Sequence, residues 1–177
     1  MTAMRILFVC MGNICRSPTA EGVMRKLADD AGLSERVIVD SAGTHDYFVG
    51  EPPDPRAVAA AQRRGYDLTP LRARQVVPAD FEIFDLILAM DFNNIAHLHD
   101  TCSLPHRSKI GLLMPYARNR RASIVHDPYN RNTKDFDRVL DYIEDACRGL
   151  VQVVSSDEGK QAAHTSYQLP GAIPLVN

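Results

Sequence analysis

Hydrophobic and polar positions along the 177-residue chain fall into two alternating kinds of segment. Short apolar runs at residues 6–10, 37–40, 86–89 and 110–114 are bounded by polar or turn-forming residues, which predicts four short strands. Longer stretches between them carry apolar residues at helical spacing. Ser17 reads as an N-cap with Pro18 at the first helical position, and Val23, Met24, Leu27 and Ala28 then recur until Gly32 ends the run. Asp54 and Pro55 open a second helix that Gly65 closes, and "VPADFEIF" and "MDFNNIAHLHD" predict two shorter ones. The last helix is the clearest, because Phe136, Val139, Leu140, Ile143, Ala146, Cys147 and Leu150 form one stripe, with Asp135 and Asp137 in its first turn.

Strands alternating with helices predict an α/β fold, an open parallel sheet covered on both faces, with ligands bound at the carboxyl ends of the strands. Cys10 stands at such an end. Periodicity fades near residue 155, so residues 1–155 read as one domain and 156–177 as a loosely ordered tail.

A net charge of −2 and a pI near 6.3 remove the basic excess that a general nucleic-acid binder needs. The four cysteines, Cys10, Cys15, Cys102 and Cys147, are too sparse for a disulfide scaffold and lack zinc-site spacing, so they read as reduced thiols. Neither a secretory h-region nor an apolar stretch of about 20 residues is present, which predicts a cytoplasmic protein with no membrane partner. Histidines 45, 97, 99, 106, 126 and 164 form no metal-ligand pattern, and no metal or cofactor is expected.

Candidate chemistry concentrates in "VCMGNICRSP", residues 9–18. A loop between a strand and a helix start turns successive backbone N–H groups inward, and the helix dipole adds positive character, so the concavity suits a phosphate-sized dianion. The same field favours a thiolate at Cys10. Arg16, returning at the far side of the loop, offers a planar fork of donors to two oxyanion oxygens. Gly12 permits a close backbone path, and main-chain amides from Met11 to Arg16 supply donors. Asn13 tolerates positive φ and can hold an unusual loop conformation. The Cys-x5-Arg spacing is weak alone; the preceding strand, the glycine and the following Ser-Pro make it specific. A single glycine and no Gly-Lys-Ser/Thr ending argue against a nucleotide-binding P-loop.

"CMGNICRSPTAEG", the later "DPY" of residues 127–129, "DSAGTHDYFVGEPPDPRA" and "RARQVVPADFEIFDLILAMD" together resemble the low-molecular-weight protein tyrosine phosphatases over about residues 4–154. The resemblance implies a four-stranded parallel sheet in order 2-1-3-4 with helices on both sides. It also implies hydrolysis of phosphotyrosine on a protein or peptide, through a phosphocysteine on Cys10, with a phosphate or other oxyanion held in the loop by Arg16. Asp127, in an Asp-Pro context that would otherwise read as a structural turn, becomes the general acid and then the general base. Ser17 either caps the helix or donates its hydroxyl to the Cys10 sulfur. Tyr47, Phe48 and Tyr129 either pack locally or shape the cleft; the resemblance puts Tyr47 and Tyr129 on its walls and Phe48 at its rim. Ile14 stands where relatives acting on phosphoarginine tend to carry threonine, which points to phosphotyrosine. Cys15 is either a small core filler or a disulfide partner for Cys10 under oxidation, which would make the enzyme redox-sensitive.

Two positions depart from the family pattern. Leu71 replaces a histidine that many relatives place in the support behind the loop, near Ser41, and Asn130 replaces the second tyrosine of animal relatives. Arsenate reduction is the rival enzymatic reading, yet Cys102 and Cys147 are far apart in sequence and do not look like a relay pair. A non-catalytic oxyanion-binding module would require Cys10 or Asp127 to be idle.

Overall fold

Strand β1 (Met4–Cys10) directs Leu7 and Val9 to one helix layer and Ile6, Phe8 and Cys10 to the other, so it is apolar on both faces. Such a strand belongs inside a parallel sheet covered on both sides. It pairs in parallel with β2 (Val37–Gly43) and β3 (Leu86–Ala89), and β3 pairs with β4 (Ile110–Leu112). The order is β2-β1-β3-β4, as the resemblance implied. The computed structural model describes residues 3–156; beyond Ser156 the expected tail lies outside the described residues. Strand β4 stops at Leu112, short of the predicted Met114, because Met114–Tyr116 forms a 3-10 turn whose Pro115 has no N–H for a ladder.

One face of the sheet carries α1 (Arg16–Asp30), α2 (Pro55–Arg63) and α5 (Thr133–Ser155). The other carries α3 (Pro78–Ile83) and α4 (Phe92–Thr101), with Phe81, Phe84, Leu98 and Cys102 packed on Leu7, Val9, Ile87 and Ala89. The predicted stripe of α5 is buried along its whole length, from Phe136 to Leu150. Asp54 caps α2 as expected, accepting from the Arg56 amide at 2.8 Å. No helix among the described residues is long and apolar enough to cross a membrane.

The start of α1 differs from the expectation. Cys15, not Ser17, is the N-cap, and Ser17 is the second helical residue. Pro18 remains tolerated because the first-turn N–H it lacks has no intrahelical acceptor. The displaced start leaves the Ser17 hydroxyl free of capping, and it turns back toward the end of β1.

Candidate active site

Between the end of β1 and the start of α1 the chain must reverse within five residues, 11–15, and Asn13 takes φ +55° to do it. Asparagine visits this left-handed region more readily than most side chains. The loop carbonyls point outward: Cys10 O accepts from Thr44 N at 2.8 Å, Met11 O from His45 N at 3.0 Å and Ile14 O from Asp54 N at 2.8 Å. Amides of residues 11–15 find no protein acceptor among the described residues, so the N–H side of the loop faces the cleft. The end of β2 closes the loop from below. A Cβ on Gly43 would lie 2.7 Å from Met11 O and 3.2 Å from Asn13 N, so only glycine fits there.

Behind the loop, side chains take the place of backbone partners. Asn13 Nδ2 donates to Ser17 Oγ and to Ser41 Oγ, both at 2.9 Å, while Asn13 Oδ1 accepts from Arg74 N at 2.9 Å. Ser17 Oγ lies 3.0 Å from Cys10 Sγ and 3.3 Å from Ala42 O. Ser41 in turn donates to Glu21 Oε2 at 2.5 Å. Leu71 is half-buried and packs on the apolar core. Burial pushes the Glu21 carboxyl above its ordinary range, although the Ser41 hydroxyl and Arg25 work the other way.

Arg16 is 2% exposed and reaches across the site. Its Nη1 donates to Asp91 Oδ2 at 2.6 Å and to Val125 O at 3.0 Å, and its Nη2 donates to Asp127 Oδ2 at 3.0 Å. Its Nε is buried and has no partner. Burial opposes the guanidinium charge, but Cys10, Asp127 and Asp91 more than offset it and raise its pKa. Asp91 also caps α4, accepting from Asn94 N at 2.8 Å. The Asp127 side chain is 42% exposed and accepts from Tyr129 N at 3.2 Å.

These groups line a cleft of about 190 Å³ formed by Cys10, Met11, Gly12, Ile14, Cys15, Arg16, Tyr47, Phe48, Asp127 and Tyr129. Of the candidate catalytic and binding residues read from the sequence, Asn13 and Ser17 alone stand outside it, behind the loop. All three aromatic residues line the cleft, with different contacts. Phe48 and Tyr129 face each other with centroids 5.7 Å apart, whereas Tyr47 is 66% exposed and stacks on His45 at 5.0 Å. Phe48 takes the inner place because Gly12 has no side chain to exclude it; a Cβ there would meet the Phe48 ring at 2.8 Å. Cys10 and Cys15 are both free thiols, and burial, followed by the charges of Asp54 and Cys10, pushes the Cys15 thiol up.

The profile of the low molecular weight phosphotyrosine protein phosphatase family matches residues 5–161. A relative carrying that name in Sus scrofa is 41% identical over 151 residues, covering 84% of this chain and 94% of its own length. The low molecular weight protein-tyrosine-phosphatase YfkJ of Bacillus subtilis is 36% identical over 153 residues, covering 86% and 97%. Among solved structures, a protein tyrosine phosphatase from Entamoeba histolytica with Hepes in its active site superimposes with a TM-score of 0.85 at 42% identity, covering 89% of this chain and 99% of that one.

The chain belongs to the low molecular weight phosphotyrosine protein phosphatases.

It is thus a tyrosine phosphatase, a hydrolase of the cysteine-loop type. Sequence reading found the local parts of its site but missed Glu21, Asp91 and Arg74. Arg74 and Asp91 meet Asn13 and Arg16 across 61 and 75 positions of sequence, and Glu21, on α1, is tied in through Ser41, 20 positions away, so no spacing marks them; only the coupling of an aspartate cap with a following helix hinted at Asp91. Cys102 and Cys147 lie in core clusters on opposite faces of the sheet, which separates them as a thiol relay. No group of three or more His, Cys, Asp or Glu side chains able to hold a metal occurs among the described residues.

Proposed function

We propose that this phosphatase cleaves phosphotyrosine on proteins or peptides by two-step transfer through Cys10. The observation that carries the reading is the buried, unpartnered Nε of Arg16 together with a row of loop amides without acceptors, at a cleft lined by Cys10 and Arg16. Such donors are suited to the oxygens of a transferring phosphoryl group.

In the first step the Cys10 thiolate attacks phosphorus, the P–O bond to the tyrosyl oxygen breaks, and Asp127 gives that oxygen its proton. In the second a water attacks the phosphocysteine, Asp127 takes the water proton, and the S–P electron pair returns to sulfur. Met11, Gly12, Ile14 and Cys15 supply loop contacts, with Asn13 and Ser17 acting from behind. Phe48 and Tyr129 clasp the aryl ring, and Tyr47 lies further out, against the peptide. The depth of the cleft favours a long aryl ester over phosphoserine. Wzb of Vibrio vulnificus, 27% identical with a TM-score of 0.73, was solved with benzylphosphonate, an aryl phosphate-like ligand that accords with this choice.

Four buried free thiols suit a reducing cytoplasm. Residues 1–155 constitute the catalytic unit in this reading, so a chain ending at 155 keeps full turnover. Under peroxide the Cys10 thiolate is oxidised to a sulfenic acid, which Cys15 captures with loss of water; the raised pKa of Cys15 slows that capture. Thiol reductant should restore activity after mild peroxide.

The deciding experiment is hydrolysis of an aryl phosphate in excess chelator, with quenched samples analysed for phosphorylated enzyme. Wild type should yield a phosphocysteine. Cys10→Ser should be inactive, and Asp127→Ala should bind substrate while losing about 10²–10⁴ in turnover. Full activity without Cys10, or the absence of phosphoenzyme, overturns the reading.

A further inference from the structure

The turn that carries Asp127, residues 127–131, belongs to no strand or helix and is closed from inside by two bonds, Tyr129 N to Asp127 Oδ1 at 3.2 Å and Arg131 N to Pro128 O at 2.9 Å. Neither fixes where the turn sits over the cleft. The hydrogen bonds that reach its main chain from another element, among the described residues, come from Arg56 on α2: Nη2 donates to Tyr129 O at 2.9 Å and Nη1 to Arg131 O at 3.0 Å. The guanidinium is itself fixed along an edge and a face. Asp54 accepts from its Nε on Oδ1 at 3.0 Å and from its Nη2 on Oδ2 at 2.7 Å, and the Phe136 ring in the first turn of α5 lies 4.5 Å from its central carbon. Asp54 N in turn donates to Ile14 O at 2.8 Å, in the loop that turns its amides to the cleft. One planar group thus spans from that loop to the turn bearing the acid, and a rigid fork of several donors suits such a span where a single point charge does not.

Asp127 has a second anchor, Arg16 Nη2 on its carboxylate at 3.0 Å. That contact is unsuited to holding the acid through turnover. Arg16 also lines the cleft, so an incoming phosphoryl group competes for its donors, and the carboxyl loses its attraction for a cation whenever it is protonated. The Tyr129 and Arg131 carbonyls keep the same charge at every stage.

We propose that Arg56 is a positioning residue for the general acid, holding the 127–131 turn by its main chain so that the Asp127 carboxyl meets the leaving oxygen. The inference rests on Asp127 as proton donor. Its effect falls on the first half-reaction, in which sulfur bonds to phosphorus, the P–O bond breaks, and the electron pair left on oxygen takes the proton from Asp127. The need for that proton grows with the basicity of the leaving oxygen. A tyrosyl oxygen, with a pKa of about 10, requires it, whereas a dinitrophenolate departs without it. A misplaced acid therefore slows basic leaving groups selectively, and a general loosening of the fold slows both kinds alike.

The test is kcat/KM, which reports P–O cleavage, measured on phenyl phosphate and on dinitrophenyl phosphate for wild type, Arg56→Ala, Arg56→Lys and Asp127→Ala. Arg56→Ala should lose about ten- to a hundredfold on phenyl phosphate, the scale of a small misplacement of a reacting group, and about threefold or less on dinitrophenyl phosphate. Arg56→Lys keeps a cation beside Phe136 but has no fork, and should show the same selectivity at smaller size, about three- to tenfold on phenyl phosphate. That variant keeps the test open if Arg56→Ala fails to fold. Arg56→Ala combined with Asp127→Ala should be no slower on phenyl phosphate than Asp127→Ala alone. Equal losses on the two esters, wild-type rates in both Arg56 variants, or losses that multiply in the double variant overturn the proposal. If Asp127→Ala itself slowed both esters alike, the assignment of the acid beneath it would fall instead.

Discussion

The two sides of the loop at residues 11–15 are built on opposite rules. On the cleft side, the amides of the loop and Arg16 Nε are donors without protein partners. On the far side, Asn13 uses both its donors and its acceptor, and Ser17 and Ser41 are each bonded to more than one neighbour. An oxyanion site must keep donors uncommitted, and uncommitted donors cost stability when buried. The far side offsets that cost. It holds a strained backbone in one conformation, so the donors do not collapse onto protein acceptors of their own.

Changes to each side should therefore have different signatures, and the largest comes from the cleft. Arg16→Lys keeps the charge but loses the fork that joins Asp91, Val125 O and Asp127, so kcat/KM should fall by about 10²–10³. A loss below about fivefold in steady-state assays would mean that a point charge suffices. On the far side, Asn13→Ala should cost about tenfold or more in kcat and several degrees in Tm, since alanine meets the left-handed penalty of about 1–2 kcal/mol and leaves its partners unsatisfied. Asn13→Gly should regain most of the melting temperature without the activity. Equal recovery of both would show that conformation alone matters.

Phe48→Ala returns to the cleft and should raise KM for an aryl phosphate by about two- to tenfold while leaving Tm nearly unchanged. A matching effect on a small alkyl phosphate would argue against ring clasping. The smallest effect belongs at the flank. Arg56 holds the Asp54 carboxyl below its usual range, so its contribution is present above the unfolded pKa near about 4 and is lost as pH falls through the lower folded value. Asp54→Ala should cost about 1 kcal/mol at neutral pH, and denaturant titration should find the gap to wild type closing in acid.

How legible this contrast was depends on distance along the chain. Cys10, Gly12 and Arg16 declare themselves because the cleft side is made by one continuous segment whose spacing is its geometry. The cap at Asp54 and the stripe of α5 were readable for the same reason, whereas the order of the strands came from the family resemblance alone. Glu21, Arg74 and Asp91 were not readable, because Glu21 on α1 joins the site only through Ser41 of β2, and the segment before α3 and the start of α4 bring Arg74 and Asp91 there only once the sheet has assembled. Ser17 misled because Ser-Pro has the local signature of a cap, while the tight reversal starts the helix earlier and frees the hydroxyl for Cys10. Tyr47 and Phe48 are neighbours in a turn without periodicity, and the bare backbone of Gly12 decides which ring goes inward.

Asp91 gives one oxygen to the amide at the head of α4 and the other to Arg16. A single carboxylate therefore ties the seating of a helix to the aim of the guanidinium. Redesign at residue 91 has to satisfy two clients at once: a replacement chosen only to keep α4 well begun would misalign the clamp, and a shift of α4 by an ångström would be transmitted to the reacting phosphate without any change in the loop itself.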